Sequence, residues 1–247
     1  MVFTFPFIQE IIHARMTIAG YNKRLAPRSI LKEDPMLVII SDVHLGDGTT
    51  AESIPANAFR LFSNRLRETA YFASFRQDGT YRPIDSLNLV LLGDILDPLH
   101  STLWLDSAPN TAHYTRPWTS PDTLLFPAKL AETTRAIIQE NKESLDLLRK
   151  CANGEIVLLP PATSNGRPDH ETKERIRIRV SIHYMIGNHD WYYHMNGAAF
   201  DGIRKTVIDT MGLSNPTAPF PYELTEYPPL QETEIQRNKT GTDKPWL

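Results

Sequence analysis

Three short apolar runs, each ending in side chains that bind metals or exchange protons, constrain this chain more than any other feature. The first is Leu37-Val38-Ile39-Ile40, which passes through Ser41 into Asp42-Val43-His44-Leu45-Gly46. The second is Leu89-Val90-Leu91-Leu92, followed by Gly93-Asp94. The third is Ile182-His183-Tyr184-Met185-Ile186, followed by Gly187-Asn188-His189-Asp190. Short apolar runs closed by glycine or polar residues read as buried strands. In an open α/β sheet, ligands bind just beyond the carboxyl ends of the strands. Three such ends predict a polar site along one edge of a sheet.

The segments between these runs fit that picture. Phe59, Phe62, Leu66, Ala70 and Ala73 recur at three- and four-residue spacing, which predicts a helix over 55–75. Strand, helix and strand then make a βαβ unit, so the first two strands should be parallel. Residues 97–127 are rich in Pro, Ser, Thr and aromatics and read as a loop over the strand ends. A helix is predicted over 128–152, ending at Asn153-Gly154, and another over 198–211. Ile176, Ile178, Val180 and Ile182 alternate with polar residues, as in a half-exposed strand. The resulting division is a lead-in at 1–35, a domain at 36–211 with an insertion at about 98–175, and a Pro-rich, polar tail at 212–247 with weak structural signals.

Composition narrows the function classes. A net charge of −3 argues against a nucleic-acid or acidic-membrane surface. No apolar run approaches the roughly 20 residues of a membrane span. One cysteine, Cys151, suits a reducing compartment, and the N-terminus lacks a basic region followed by an apolar core, so a cytoplasmic location is expected.

The chemistry follows from the residue types. Divalent metals take carboxylate oxygens and imidazole nitrogens, and an amide oxygen can complete a shell. Asp42 and His44 are two apart, so on an extended segment they share a face. Gly93 and Gly187 allow the sharp turns and close backbone approach that such a site needs. Asp94 has two oxygens and can bridge two ions, which at roughly 3.5–4 Å apart clamp a phosphoryl group.

Asp42-x-His44, Gly93-Asp94-x-x-Asp97 and Gly187-Asn188-His189-Asp190, in this order, resemble the calcineurin-like metallophosphoesterase superfamily. The resemblance spans residues 36–211. It implies an α/β fold in which two mixed sheets pack as a sandwich flanked by helices. It implies a phosphoester substrate, two divalent ions (Mn, Fe or Zn), and hydrolysis by metal-activated hydroxide. Asp42 and His44 would bind the first ion, Asp94 both, and Asn188 the second. His189 would contact the phosphate and protonate or stabilise the leaving oxygen, and Asp190 would orient His189. Asp97 reads either as a support for this set or as a turn residue before Pro98. His183 reads as a packed strand histidine; His100 and His113 lie in the long loop, where they could line substrate, although solvated loop residues are the default reading.

The family pattern continues with a further histidine and a Gly-His-x-His block, whereas no histidine follows His194 here. A domain incomplete on its C-terminal side is therefore expected, with a bare apolar sheet face that promotes association. A decayed, non-catalytic domain and a nuclease are the alternative functions.

Overall fold

A computed structural model describes residues 36–222 of the 247-residue chain. The lead-in at 1–35 and the tail beyond 222 lie outside the described residues. Strand β1 (Met36–Ile40) leads through a loop to helix α1 (Ala56–Ala73) and strand β2 (Ser86–Leu92). Helices α2 (Leu125–Glu140) and α3 (Lys142–Ala152) follow, then the short strands β3 (Leu158–Leu159) and β4 (Ile176–Arg177). Strand β5 (Arg179–Met185) and helix α4 (Ala198–Met211) complete the set, with 3-10 turns at Thr102–Leu105 and Trp191–His194.

The three apolar runs form one parallel sheet in the order β1-β2-β5. The register aligns Val38, Leu89 and Ile182 in one row and Ile40, Leu91 and Tyr184 in the next. These rows face the helices; Ile40, Leu89, Leu91, Ile182 and Tyr184 are buried with Phe59, Leu66, Leu130, Ile137 and Val207, and Val38 packs against them partly buried. β3 and β4 form a separate antiparallel ribbon of two residues each. The described residues are therefore α/β, but they build one three-stranded sheet and a ribbon rather than the two packed sheets expected.

The opposite sheet face is only partly bare. Leu37 and Ile39 on β1 and Leu92 on β2 are exposed, while Val90 and His183 in the row of Ile39 are buried. Burial holds the His183 imidazole below its ordinary pKa.

Two expectations are corrected. The helix expected over 128–152 breaks at Asn141, which leaves the helical region at φ −100°, ψ 19°. The break lets the buried Asn141 amide donate to the carbonyls of Ile137 (2.8 Å) and Gly46 (2.7 Å), tying the loop after β1 to the helix layer. The fold also runs past residue 211. Ser214 N donates to Ile182 O (2.7 Å), the Asn215 amide exchanges two bonds with the backbone of Tyr184, and Ile186 N donates to Pro221 O (2.9 Å). An asparagine side chain thus replaces a strand partner on the free edge of β5, which periodicity cannot reveal. The expected alternation holds over 177–182, with Ile178, Val180 and Ile182 buried and Arg177 and Arg179 exposed, while Ile176 is exposed and His183 is buried.

Arg204 on α4 is fully buried and closes the region after the third run. Its guanidinium donates to the carbonyls of Thr217 (2.7 Å), Tyr193 (3.1 Å) and Met195, and pairs with Asp201. Replacing it strands buried carbonyls, each worth about 1–3 kcal/mol. Arg204→Met should therefore destabilise the chain by at least about 2 kcal/mol, read as a lower urea midpoint with an unchanged denaturant slope.

Candidate metal centre and histidine cluster

The site begins where the parallel ladder leaves regular strand geometry. Beyond β1 and β2 the two chains stay paired: Asp42 N donates to Gly93 O (3.2 Å), His44 N to Asp94 O (2.8 Å) and Leu45 N to Ile95 O (2.8 Å). The pairing is kept with the backbone turned over. Asp42, His44 and Asp94 have φ of 55°, 50° and 54°. Positive φ costs a side-chain-bearing residue of order 1 kcal/mol or more, and such strain clusters at functional sites.

The glycines allow the third strand to come close. Gly93 has φ 75°, and a Cβ there would lie 3.0 Å from the Cα of Gly187. A Cβ on Gly187 would collide with the Asp94 carboxylate. Asp94 is held in that space by the His189 amide, which donates to its Oδ1 (2.9 Å). The close approach expected of these two glycines is thus present.

The sequence-predicted residues come together in part. Donor atoms of Asp42, His44 and Asp94 all lie within 4.8 Å of one another. Asn188 is exposed and sits between Gly187 and His189, the two residues that touch Asp94.

Asp190 is placed otherwise than expected. Its fully buried carboxylate accepts from Ile95 N (3.0 Å), the Tyr184 hydroxyl (2.7 Å) and Gly187 N. It therefore braces the β2 and β5 loops and does not orient the His189 ring. Burial pushes its carboxyl above the ordinary value, against the lowering effect of the Tyr184, Gly187 and Ile95 bonds. Tyr184 is driven far upward by the same burial.

The carboxylate that does meet His189 is Asp97. A single oxygen, Asp97 Oδ2, lies 3.1 Å from His189 Nδ1, 3.2 Å from His44 Nδ1 and 2.9 Å from His100 Nδ1. The His189 ring stands edge-on between the other two, with centroids 4.6 Å from His44 and 4.7 Å from His100. Asp97 is buried, which alone would raise its pKa, but the hydrogen bonds from His100, His189 and His44 outweigh burial and hold it below the ordinary value. An ionised carboxylate only accepts hydrogen bonds, so where these contacts are hydrogen bonds each Nδ1 carries the proton and each Nε2 is the open position; donor atoms of His44, Asp97 and His189 also lie within 4.8 Å of one another, a second group that could hold an ion.

The turn bearing Asp97 and His100 is fixed from behind. His100 N donates to Asp97 Oδ1 (3.2 Å), and the buried Trp104 indole donates to Pro98 O (2.7 Å). Ser101 also donates to Asp47 in the loop after β1. Residues Asp97 and His100 are a turn apart in a segment anchored at Pro98. That three-residue spacing is the sequence signal that points to their meeting, although it equally fits a solvated turn. His194 bonds its Nδ1 to Phe220 O (2.7 Å) and serves the fold. A separate cleft of about 660 Å³ lies between Asp106, His113, Lys129 and Arg135 and contains none of the candidate site residues. No family model, curated protein or solved structure matches the chain.

Two outcomes follow from this geometry. The folded-state pKa of Asp97 lies below its unfolded value of about 3.8, so its stabilising contribution is present above that pH and lost as pH falls through the folded value. Asp97→Asn should lower the unfolding midpoint at neutral pH, and the gap to the parent chain should close below about pH 4. Gly187→Ala should cost about 1–3 kcal/mol by overpacking against Asp94, measured by urea unfolding.

Proposed function

We propose that the chain is a metal-dependent phosphoester hydrolase, with its site at the carboxyl ends of β1, β2 and β5. The observation that carries this reading is the strain: Asp42, His44 and Asp94, three ligand-type residues converging on one point, all sit at positive φ. A folded chain retains such conformations where the surrounding structure over-determines them, and function is the usual reason. The three sequence blocks that resemble the calcineurin-like metallophosphoesterases supply the same residues in the same order.

The donor set fits one ion well. Asp42, His44 and Asp94 offer two carboxylates and an imidazole, a mixture suited to Mn, Fe or Zn. A second ion would have Asp94 and Asn188, a thinner set. Bound divalent ions supply Lewis acidity toward phosphoryl oxygens and a water acidified to near-neutral pH.

The chain's own groups divide the remaining work. Asp97 accepts a hydrogen bond from the Nδ1–H of His44 and leaves Nε2 free to act as a ligand, the carboxylate–histidine–metal arrangement. Asp97 holds His189 in the same way, so proton exchange with a substrate runs through His189 Nε2. In the protonated ring that proton passes to the departing ester oxygen while Nδ1–H stays on Asp97. Asp190 fixes the loop that carries His189 through the Gly187 and Ile95 amides.

Hydrolysis of p-nitrophenyl phosphate should require added Mn²⁺, Fe²⁺ or Zn²⁺ and be lost on chelation. Asp94→Ala should abolish it, and full activity in that variant would overturn the site. His189→Ala should retain metal binding while lowering kcat by about 10²–10⁴-fold, the usual contribution of a positioned proton donor. Metal analysis after dialysis should find one ion held more tightly than a second, because the first has three donors.

A further inference from the structure

His100 has no part in the mechanism above, yet it is built into the same cluster. Its Nδ1 makes the shortest of the three contacts to Asp97 Oδ2, and its backbone amide holds the other oxygen. Its ring lies edge-on to His189, while its side chain remains 59% exposed. Among the described residues its Nε2 has no hydrogen-bond partner. A loop histidine with only a solvated role has no need of a buried carboxylate, an Asp97 turn and the Trp104 clamp to hold its ring still.

The tautomer decides what such a ring can recognise. In the neutral ring, with the Nδ1 proton donated to Asp97, Nε2 presents a lone pair and accepts a hydrogen bond. An acceptor cannot pair with phosphoryl oxygens, which are acceptors themselves. It pairs with a hydroxyl. The order of the rings gives the location: His44 belongs to the candidate metal centre, His189 stands beside it, and His100 lies on the other flank of His189. If His189 protonates the ester oxygen, as proposed above, the group beyond that oxygen is the leaving alcohol.

We infer that His100 is a substrate contact whose Nε2 accepts a hydrogen bond from a hydroxyl of the leaving alcohol, so that the site favours phosphoesters of polyols. This inference rests on the phosphoesterase reading. The favoured substrates carry a hydroxyl near the ester oxygen, as glycerol and sugar phosphates do.

The test compares glycerol 2-phosphate with isopropyl phosphate, two secondary phosphate esters that differ in the flanking hydroxyls. One hydrogen bond at a partly exposed site should make kcat/KM for the glycerol ester about two- to tenfold higher in the parent chain. His100→Asn keeps an amide donor facing Asp97 and removes the outward nitrogen, so the ratio should fall to near one, through KM. His100→Gln carries an amide oxygen farther out and should restore part of the preference, which a purely structural role would not produce. Urea midpoints close to that of the parent would show that both variants fold. A parent ratio of one, or a preference kept by His100→Asn, would overturn the His100 contact while leaving the phosphoesterase reading intact. Absence of metal-dependent hydrolysis of these esters and of p-nitrophenyl phosphate would overturn both.

Discussion

The parallel register of β1, β2 and β5 is the constraint on which everything else rests. Because the strands run the same way and are nearly in step, their carboxyl ends fall on one edge. Each run then delivers its polar residues to the same place. Regular pairing would send alternate side chains to opposite faces of the sheet. The left-handed turns at Asp42, His44 and Asp94 break that alternation while preserving the hydrogen bonds between the loops. Buried donors and acceptors stay paired, and donor atoms of Asp42, His44 and Asp94 come within 4.8 Å of one another.

Two buried carboxylates sit within this edge, and their surroundings push them in opposite directions. Asp190 meets a tyrosine hydroxyl and two amides in a nearly dry space, and burial dominates. Asp97 meets three imidazoles whose outer edges reach water, and hydrogen bonding dominates. Carboxylates whose environments separate their pKa values have separate tasks. Asp190 holds the backbone together, whereas Asp97 gathers the Nδ1 atoms of three histidines on one oxygen.

Structure remote from the sheet keeps this edge rigid. The helix break at Asn141 grips the loop at Gly46, Trp104 grips the turn at Pro98, and Arg204 grips the segment after His189. Each uses a buried side-chain donor on a backbone carbonyl, so each loop is fixed without strands of its own. The long excursion between β2 and α2 is likewise stapled to itself, with the Arg116 guanidinium donating to the carbonyls of Trp104, Thr115 and Ser107.

The sequence by itself determined the three strands, the parallel pairing of the first two and most of the helices, because apolar periodicity reports burial directly; the strand order and the parallel third strand came from the fold. It also marked Asp42, His44, Asp94, Asn188 and His189, since polar residues that close an apolar run stand out against it. Gly93 and Gly187 were legible as close-approach positions for the same reason. Only the tertiary structure decided which carboxylate serves which imidazole. Asp97 and Asp190 each lie near His189 along the chain or through the fold, and side-chain direction separates them, since the Asp190 carboxylate turns to Tyr184 and Asp97 turns to the rings. The helix break at Asn141, the edge cover by Asn215 and the enlistment of His100 were likewise set by partners distant in sequence or by loop geometry. Hydrogen bonds of that kind depend on where two segments meet in space, and neither composition nor periodicity carries that information.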